Sequence, residues 1–327
     1  MQLPLSRAAG KKADKMHALT RAGGRLLQIV PTVLLVALLM FALMRLLPGD
    51  AAVAMLGDRA TDESLARLRH EMGYDQSFAV QLLNYIEHVA TLRFGESVSM
   101  HVPVTRLIID RLPITLMLTA MAAVLAIVMA VPLAFAAALN EGGIADAIIR
   151  LFCQVGLSMP VFYLGLILLI TLAAGLGWFP VGGIGDHFTQ DLYYLFLPAL
   201  TLALSLGAIL MRNLRDALIG VLHAEFVQFA TAKGLLRRVV LGRHVLRNAI
   251  VSTVTLLGLN IGSLVGGAVI TESVFAIPGV GRLMIDSIFA RDYPVVQGLT
   301  IMLAVLVSLV FIAVDTLQAT LDPRMDA

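Results

Sequence analysis

Charge is scarce in this 327-residue chain: 14% of its residues are Asp, Glu, Lys or Arg, against about 25% in a soluble domain. Lysine is confined to Lys11, Lys12, Lys15 and Lys233. Cysteine is reduced to Cys153, inside an apolar run, which excludes a disulfide within the chain and any Cys-pair metal spacing. No Gly-x-x-x-x-Gly-Lys-[Ser/Thr] occurs, so the chain has no phosphate-cradling loop and no ATPase of its own. The seven His residues are scattered, without the i, i+4 pairing of a helix-borne metal site. No two carboxylates share an apolar run. Glu272 and Asp315 each stand at the end of one, where they are expected to reach interfacial water. These absences leave little material for an intramembrane enzyme or for a proton-coupled secondary transporter, which needs ionisable groups near the midplane.

What is present is apolar sequence: 59% of residues are hydrophobic and mean hydropathy is +0.88. The apolar residues fall in uncharged runs of about 20, the length that carries a helix across a bilayer core. Six spans fit, at about 26–47, 113–139, 148–174 (interrupted at Pro160), 192–211, 248–271 and 295–314. The expected fold is an all-α integral membrane protein of six transmembrane helices, residues 23–327, preceded by a basic tail, 1–22. The first run has no small-residue cleavage site after it and reads as an uncleaved span. If the N-terminus is cytoplasmic, all four lysines lie inside, as the positive-inside rule favours, and six spans return the C-terminus to that side.

Two segments between the runs have structure of their own. Residues 48–112 form an external insertion. Within it, 61–73 has a polar start and a terminal glycine, and 75–90 repeats apolar residues at Phe78, Leu82, Ile86 and Val89; both patterns are helical. The insertion is either a packed cap or a docking surface. On the cytoplasmic side lies 212–247. Its stretch 225–249 holds five Lys or Arg and apolar residues at helical spacing, broken by Gly234 and Gly242. Such short helices are marginal in water unless one side is buried. The segment can pack on its own bundle, attract anionic headgroups, or insert into a groove on a cytoplasmic partner. In the fifth run, Gly258, Gly262 and Gly266 recur every fourth residue. That stripe suits close helix packing, a subunit interface, or a translocation path with Asn260 and Ser263 as polar lining. After the run, Pro278, Gly279 and Gly281 mark a turn, with a short helix following. Trp178 and Phe179 are placed to anchor at the interface.

The stretch "AKGLLRRVVLGRHVLRNA" (232–249) resembles the cytoplasmic loop of the permease subunits of ATP-driven importers, most closely the dipeptide, oligopeptide and nickel branch. "LPGD" (47–50), "RLPITLML" (111–118), "ESVFAIPGVGRLMIDSIFARDYPVVQG" (272–298) and "LDPRM" (321–325) stand at matching places. The broader family's Glu-Ala-Ala before the loop glycine is reduced here to Ala230, which shifts weight to Ala230, Ala232 and Gly234. The resemblance implies a non-catalytic membrane subunit of the inner membrane that forms half of a path for di- or oligopeptides, or for nickel complexes or glutathione within the same branch. It implies that Phe229, Ala230, Ala232, Lys233, Gly234, Leu235, Arg237 and Arg238 dock on an ATPase subunit. The implied partners are a second, different permease chain, two ATPase subunits that carry the ATP and Mg, an extracytoplasmic substrate-binding protein and the lipid bilayer. No cofactor of the chain's own and no nucleic acid enters this picture. The rival of another class is a self-sufficient secondary transporter.

Overall fold

The computed structural model describes residues 29–46, 61–71 and 76–321. These residues are helical, with no β-strand among them and a single bridge between Glu96 and Pro103. The basic tail 1–22, the sequence 47–50, Gly73 and residues 322–325 lie outside the described residues. The chain divides into two compact units, one of residues 1–108 and 287–316, the other of 109–286 and 317–327.

The first unit contains α1 (Ile29–Leu46), α2 (Asp62–Glu71), α3 (Phe78–Ala90), the opening turn of α4 (Val104–Leu139), the end of α11 (Val280–Phe289) and most of α12 (Tyr293–Leu321). Asp62 and Glu63 occupy the first turn of α2, where negative charge meets the positive end of the helix dipole. Helix α3 lies against α1 without burying any residue fully: the Phe41 ring of α1 lies 5.5 Å from both the Phe78 and the Tyr85 ring. The insertion therefore packs on the first apolar helix, at least through α3. Its last loop, 91–103, is tied down by Asp292. One carboxylate oxygen accepts from Ser97 Oγ at 2.6 Å, Ser99 Oγ at 2.8 Å and Ser99 N at 3.1 Å. Burial alone would raise the Asp292 carboxyl, and the bonds from Ser97 and Ser99 outweigh it, holding the group below the ordinary carboxylate range.

The second unit is built around α7 (Phe188–Leu222). Its residues Leu195, Leu202, Leu206, Leu210, Leu214 and Leu218 are buried, most of them one helical turn apart, so one face is apolar along its whole length. Against it pack α10 (Arg247–Val274), α5 (Ile144–Ser158) and α6 (Val161–Leu168), the last continuing as π-helix over Leu169–Gly175. Helix α4 adds a seam of small residues: Ala122, Ala126, Ala130, Ala134 and Ala138 are buried at a spacing of four. A Cβ on Gly207 of α7 would stand 3.4 Å from the Ala126 carbonyl oxygen. Such close approach of backbones is how helices associate where lipid removes the hydrophobic incentive. Pro113 and Pro132 lie inside α4 and Pro198 inside α7, as neighbouring helices permit.

Three helices are long and apolar enough to cross a membrane alone: Val104–Leu139, Phe188–Leu222 and Tyr293–Val314. Two bent pairs pass the same test together, and Ile29–Met44 is a shorter apolar helix. The third expected span is interrupted at Pro160: α5 and α6 meet there at 105°, so it is a pair of short helices. Proline removes a backbone donor and excludes the preceding residue from helical geometry, and Met159 is extended at φ −90°, ψ 135°. The pair still carries the chain from one end of α7 to the other. His223, just past the end of α7, lies 3.7 Å from Glu141, and Gly183, before its start, donates to the Phe275 carbonyl at 3.0 Å. Hydropathy marks only the part of a helix that lipid surrounds, which is why α4 begins at Val104 and not near Pro113, and α7 runs to Leu222, past Met211.

Candidate functional site: the loop at 225–246 and helix α10

The loop folds as two short pieces that lead into α10. The first, α8 (Glu225–Ala232), starts with Glu225 in its first turn, a favourable charge for that end. It stops at Gly234, which has φ +76°, with Gly234 N donating to Thr231 O at 3.0 Å and Leu235 N to Ala230 O at 3.3 Å. A left-handed residue closes helix ends in this way, and glycine alone adopts it without strain. After an extended Leu236, α9 (Arg237–Val239) and a π-helical stretch over Val240–Leu246 run directly into α10.

Burial divides the loop into two faces. Val227, Ala230, Val240 and Val245 are buried within the chain. Phe226, Phe229, Leu235, Leu236 and Val239 are exposed, Phe229 by 66% and Leu236 by 75%. Lys233, Arg237 and Arg238 are exposed beside them. Among the residues expected to dock on a partner, Phe229, Ala232, Lys233, Gly234, Leu235, Arg237 and Arg238 thus lie on the open side. Ala230 instead lies inward, within the core cluster that also holds Val227 and Val240. Sequence reasoning passed over Phe226, Leu236 and Val239 as docking residues, although their spacing was visible.

The glycine stripe of α10 is not one continuous packed face. Gly258 is buried and Gly262 half-buried, whereas a Cβ on Gly266 would meet nothing within 4 Å. The close approach falls one residue later: a Cβ on Gly267 would stand 3.1 Å from Leu202 of α7. Helix α10 bends by 48° between Thr253–Asn260 and Gly262–Val274. Asn260 Nδ2 donates to its own helix at Leu256 O, 2.8 Å away, and Ser263 is exposed.

Two buried polar joints escaped the sequence reading. Near the 225–246 end, Arg215 of α7 grips Asp146 of α5 through Nε–Oδ1 at 2.6 Å and Nη2–Oδ2 at 2.7 Å. Asp146 is fully buried and also accepts from Gly142 N at 3.2 Å. At the opposite end, Glu272 is fully buried, which corrects the expectation that it reaches interfacial water. Polar neighbours solvate it instead: Thr115 Oγ1 donates at 2.5 Å, Gly281 N at 2.8 Å and Arg282 N at 3.1 Å. Glu272 carried a sequence signal, an acid directly after an apolar run and before Pro-Gly-x-Gly. Asp146 and Arg215, 69 residues apart, carried none.

Residues 130–327 match the family described as the inner membrane component of binding-protein-dependent transport systems, and residues 19–119 match its N-terminal companion. The chain belongs to this family. As a permease of that kind, it is a multi-pass protein of the inner membrane, and both the loop and α10 lie in the first matched region. It is 36% identical over 304 residues to a Brucella abortus protein provisionally named a peptide transport system permease, covering 92% of this chain and 97% of that one. It is 36% identical over 301 residues to the glutathione transport system permease protein of Salmonella typhimurium, with the same coverage. Among solved structures, the permease shares its fold with the inward-facing MetNI methionine ABC transporter, at TM-score 0.56 and 16% identity, over 66% of this chain and 96% of that one.

Proposed function

We propose that this permease forms half of the path of an ATP-driven importer for di- and oligopeptides. It pairs with a second permease chain, receives substrate from an extracytoplasmic binding protein and draws work from two ATPase subunits, which hold the ATP and Mg. Both termini are cytoplasmic, and so is the 225–246 loop. The observation that carries the reading is the open face of that loop. Phe226, Phe229, Leu235, Leu236 and Val239 are exposed together beside Lys233, Arg237 and Arg238. An apolar patch rimmed by cations marks a contact surface, and a short helix laid in a partner's groove is a common form of such contact. The buried side of α8 fixes the helix to its own bundle, so displacement of the groove is passed to α7 and α10. ATP then shifts the transporter between states only through its different affinity for them. The exposure of Ser263 and Gly266 supports the reading that the outer half of α10 faces the path or the second permease.

Phe229→Asp tests this reading. The assembled importer should keep its yield and lose most binding-protein-stimulated ATPase activity and uptake, because a charge in an apolar groove costs several kcal/mol. Uptake equal to that of the parent would remove the loop from the mechanism. A second substrate reading, glutathione, has support from the Salmonella typhimurium relative at the same identity. Competition of unlabelled glutathione against a labelled dipeptide in proteoliposomes separates the two.

A further inference from the structure

Glu272 closes a knot that joins three segments of the second unit. It sits in the last turn of α10. Its carboxylate accepts from Thr115 of α4 and from the backbone of Gly281 and Arg282 in the first turn of α11. Thr115 Oγ1 in turn accepts from Val280 N at 3.0 Å, so one hydroxyl bridges the carboxylate and the start of α11. The fit leaves no spare volume: a Cβ on Gly279 would overlap the Glu272 carboxylate, and one on Gly281 would overlap Val269. The connection itself is forced. Ala276 stands in the left-handed region at φ 51°, its carbonyl held by Arg282 Nη1 at 2.8 Å. Phe275 is 1% exposed, and its carbonyl accepts from Gly183 N at 3.0 Å.

A buried carboxylate is tolerated only where donors replace water. Separating residues 280–282 from α10 would strand the acid and three donors together. The knot therefore either moves as a body or opens as a whole. We propose that Glu272 is a positioning residue: through Thr115 it pins the first turn of α11 and the connection 275–282 to the outer half of α10 and to α4, so that the external mouth keeps the shape that accepts substrate from the binding protein. This inference rests on the reading that the 225–246 loop is cytoplasmic, which places the opposite end of α10 outside.

The test uses the assembled importer in nanodiscs, with Thr115→Val and Thr115→Ser. Valine keeps the shape and removes the hydroxyl, and serine restores it. A nitroxide on Asp286→Cys, in a Cys153→Ala background, reports motion of α11. The spectrum should be restricted in the parent and in Thr115→Ser, and sharpened in Thr115→Val. The half-saturating concentration of substrate-loaded binding protein for stimulated ATPase should rise at least about tenfold in Thr115→Val, which removes two buried hydrogen bonds at once, with the maximal rate held and with recovery in Thr115→Ser. An unchanged spectrum overturns the pin. A fall in yield and maximal rate without a shift in half-saturation reduces Glu272 to fold support and overturns its positioning role. Cross-linking of Phe229→Cys to the ATPase subunit reports docking separately: if it fails in the parent, the reading beneath the pin falls; if it succeeds while Thr115→Val behaves as the parent, the pin alone falls.

Discussion

At the scale of single residues, the buried acids of this permease differ in what they hold, and Asp292 offers a measurable consequence. It sits before α12, outside the apolar span, with Ser97 and Ser99 donating to one of its oxygens. These bonds act on the ionised form and depress its folded-state pKa despite burial. The unfolded carboxyl titrates near about 3.9. A depressed folded value means that the stabilisation is fully present above the unfolded pKa and is lost as pH falls through the folded one. The parent should therefore melt well above Ser97→Ala/Ser99→Ala at pH 7, and the two melting curves should converge as pH drops below about 4. A gap in thermal midpoint that stays constant from pH 7 to pH 3 would show that the serines act by packing alone. Glu272 is the other case, a residue whose type and position the sequence displays but whose surroundings it does not. An acid at the end of an apolar run can meet water or a cage of donors. Only the fold brings Thr115, 157 positions away, to decide between them.

At the scale of elements, most of the fold was legible because hydropathy and period carry it. The helices of the insertion, the span at 247–274, the break at Pro160 and the helix after Pro278 and Gly279 all follow from runs, stripes, prolines and glycines. The joints between elements were not legible, since a partner distant in sequence leaves no periodic trace. The Asp146–Arg215 grip between α5 and α7 illustrates this. Arg215 is 13% exposed at its side chain and Asp146 not at all; without Asp146 the guanidinium keeps its exposed partner Asp216 at 2.8 Å but loses both bonds into the interior. Asp146→Ala should cost about 1.5 to 3 kcal/mol, the loss of charge-assisted bonds to a guanidinium that keeps one partner, and lower the thermal midpoint in detergent, along with assembly yield. Replacing both, as Asp146→Leu with Arg215→Met, should recover much of the loss, because a buried pair is often matched by apolar packing of similar volume. If the single and double variants melt together, the joint contributes shape and not charge pairing. The candidate coupling loop follows the same division. Its helix and its glycine stop were readable, while the inward turn of Ala230 required the packing of Val227 and Val240 to be known.

At the scale of the whole molecule, the 105° bend between α5 and α6 leaves the number of crossings to geometry. A pair bent so sharply can enter and leave on one side or pass through. Two contacts argue for passage. Glu141, ahead of the pair, lies near His223 beyond one end of α7, and Gly183, behind the pair, is bonded to Phe275 at the other. Helix α7 has 35 residues, about 50 Å at 1.5 Å per residue, which exceeds the thickness of a hydrocarbon core. On this geometry the chain is expected to change sides between Glu141 and Gly183. Single cysteines test this cleanly, because Cys153 is the sole native one and is buried, so Cys153→Ala gives a silent background. With an impermeant maleimide on intact spheroplasts, Glu87→Cys and Trp178→Cys should react. Glu141→Cys and Gln228→Cys should react only after permeabilisation. Reaction of Glu141→Cys and Trp178→Cys from the same side would make the pair re-entrant and shift α7 and α10 to the opposite orientation. The 225–246 loop would then face away from any cytoplasmic ATPase, and its exposed Phe229 would need another partner.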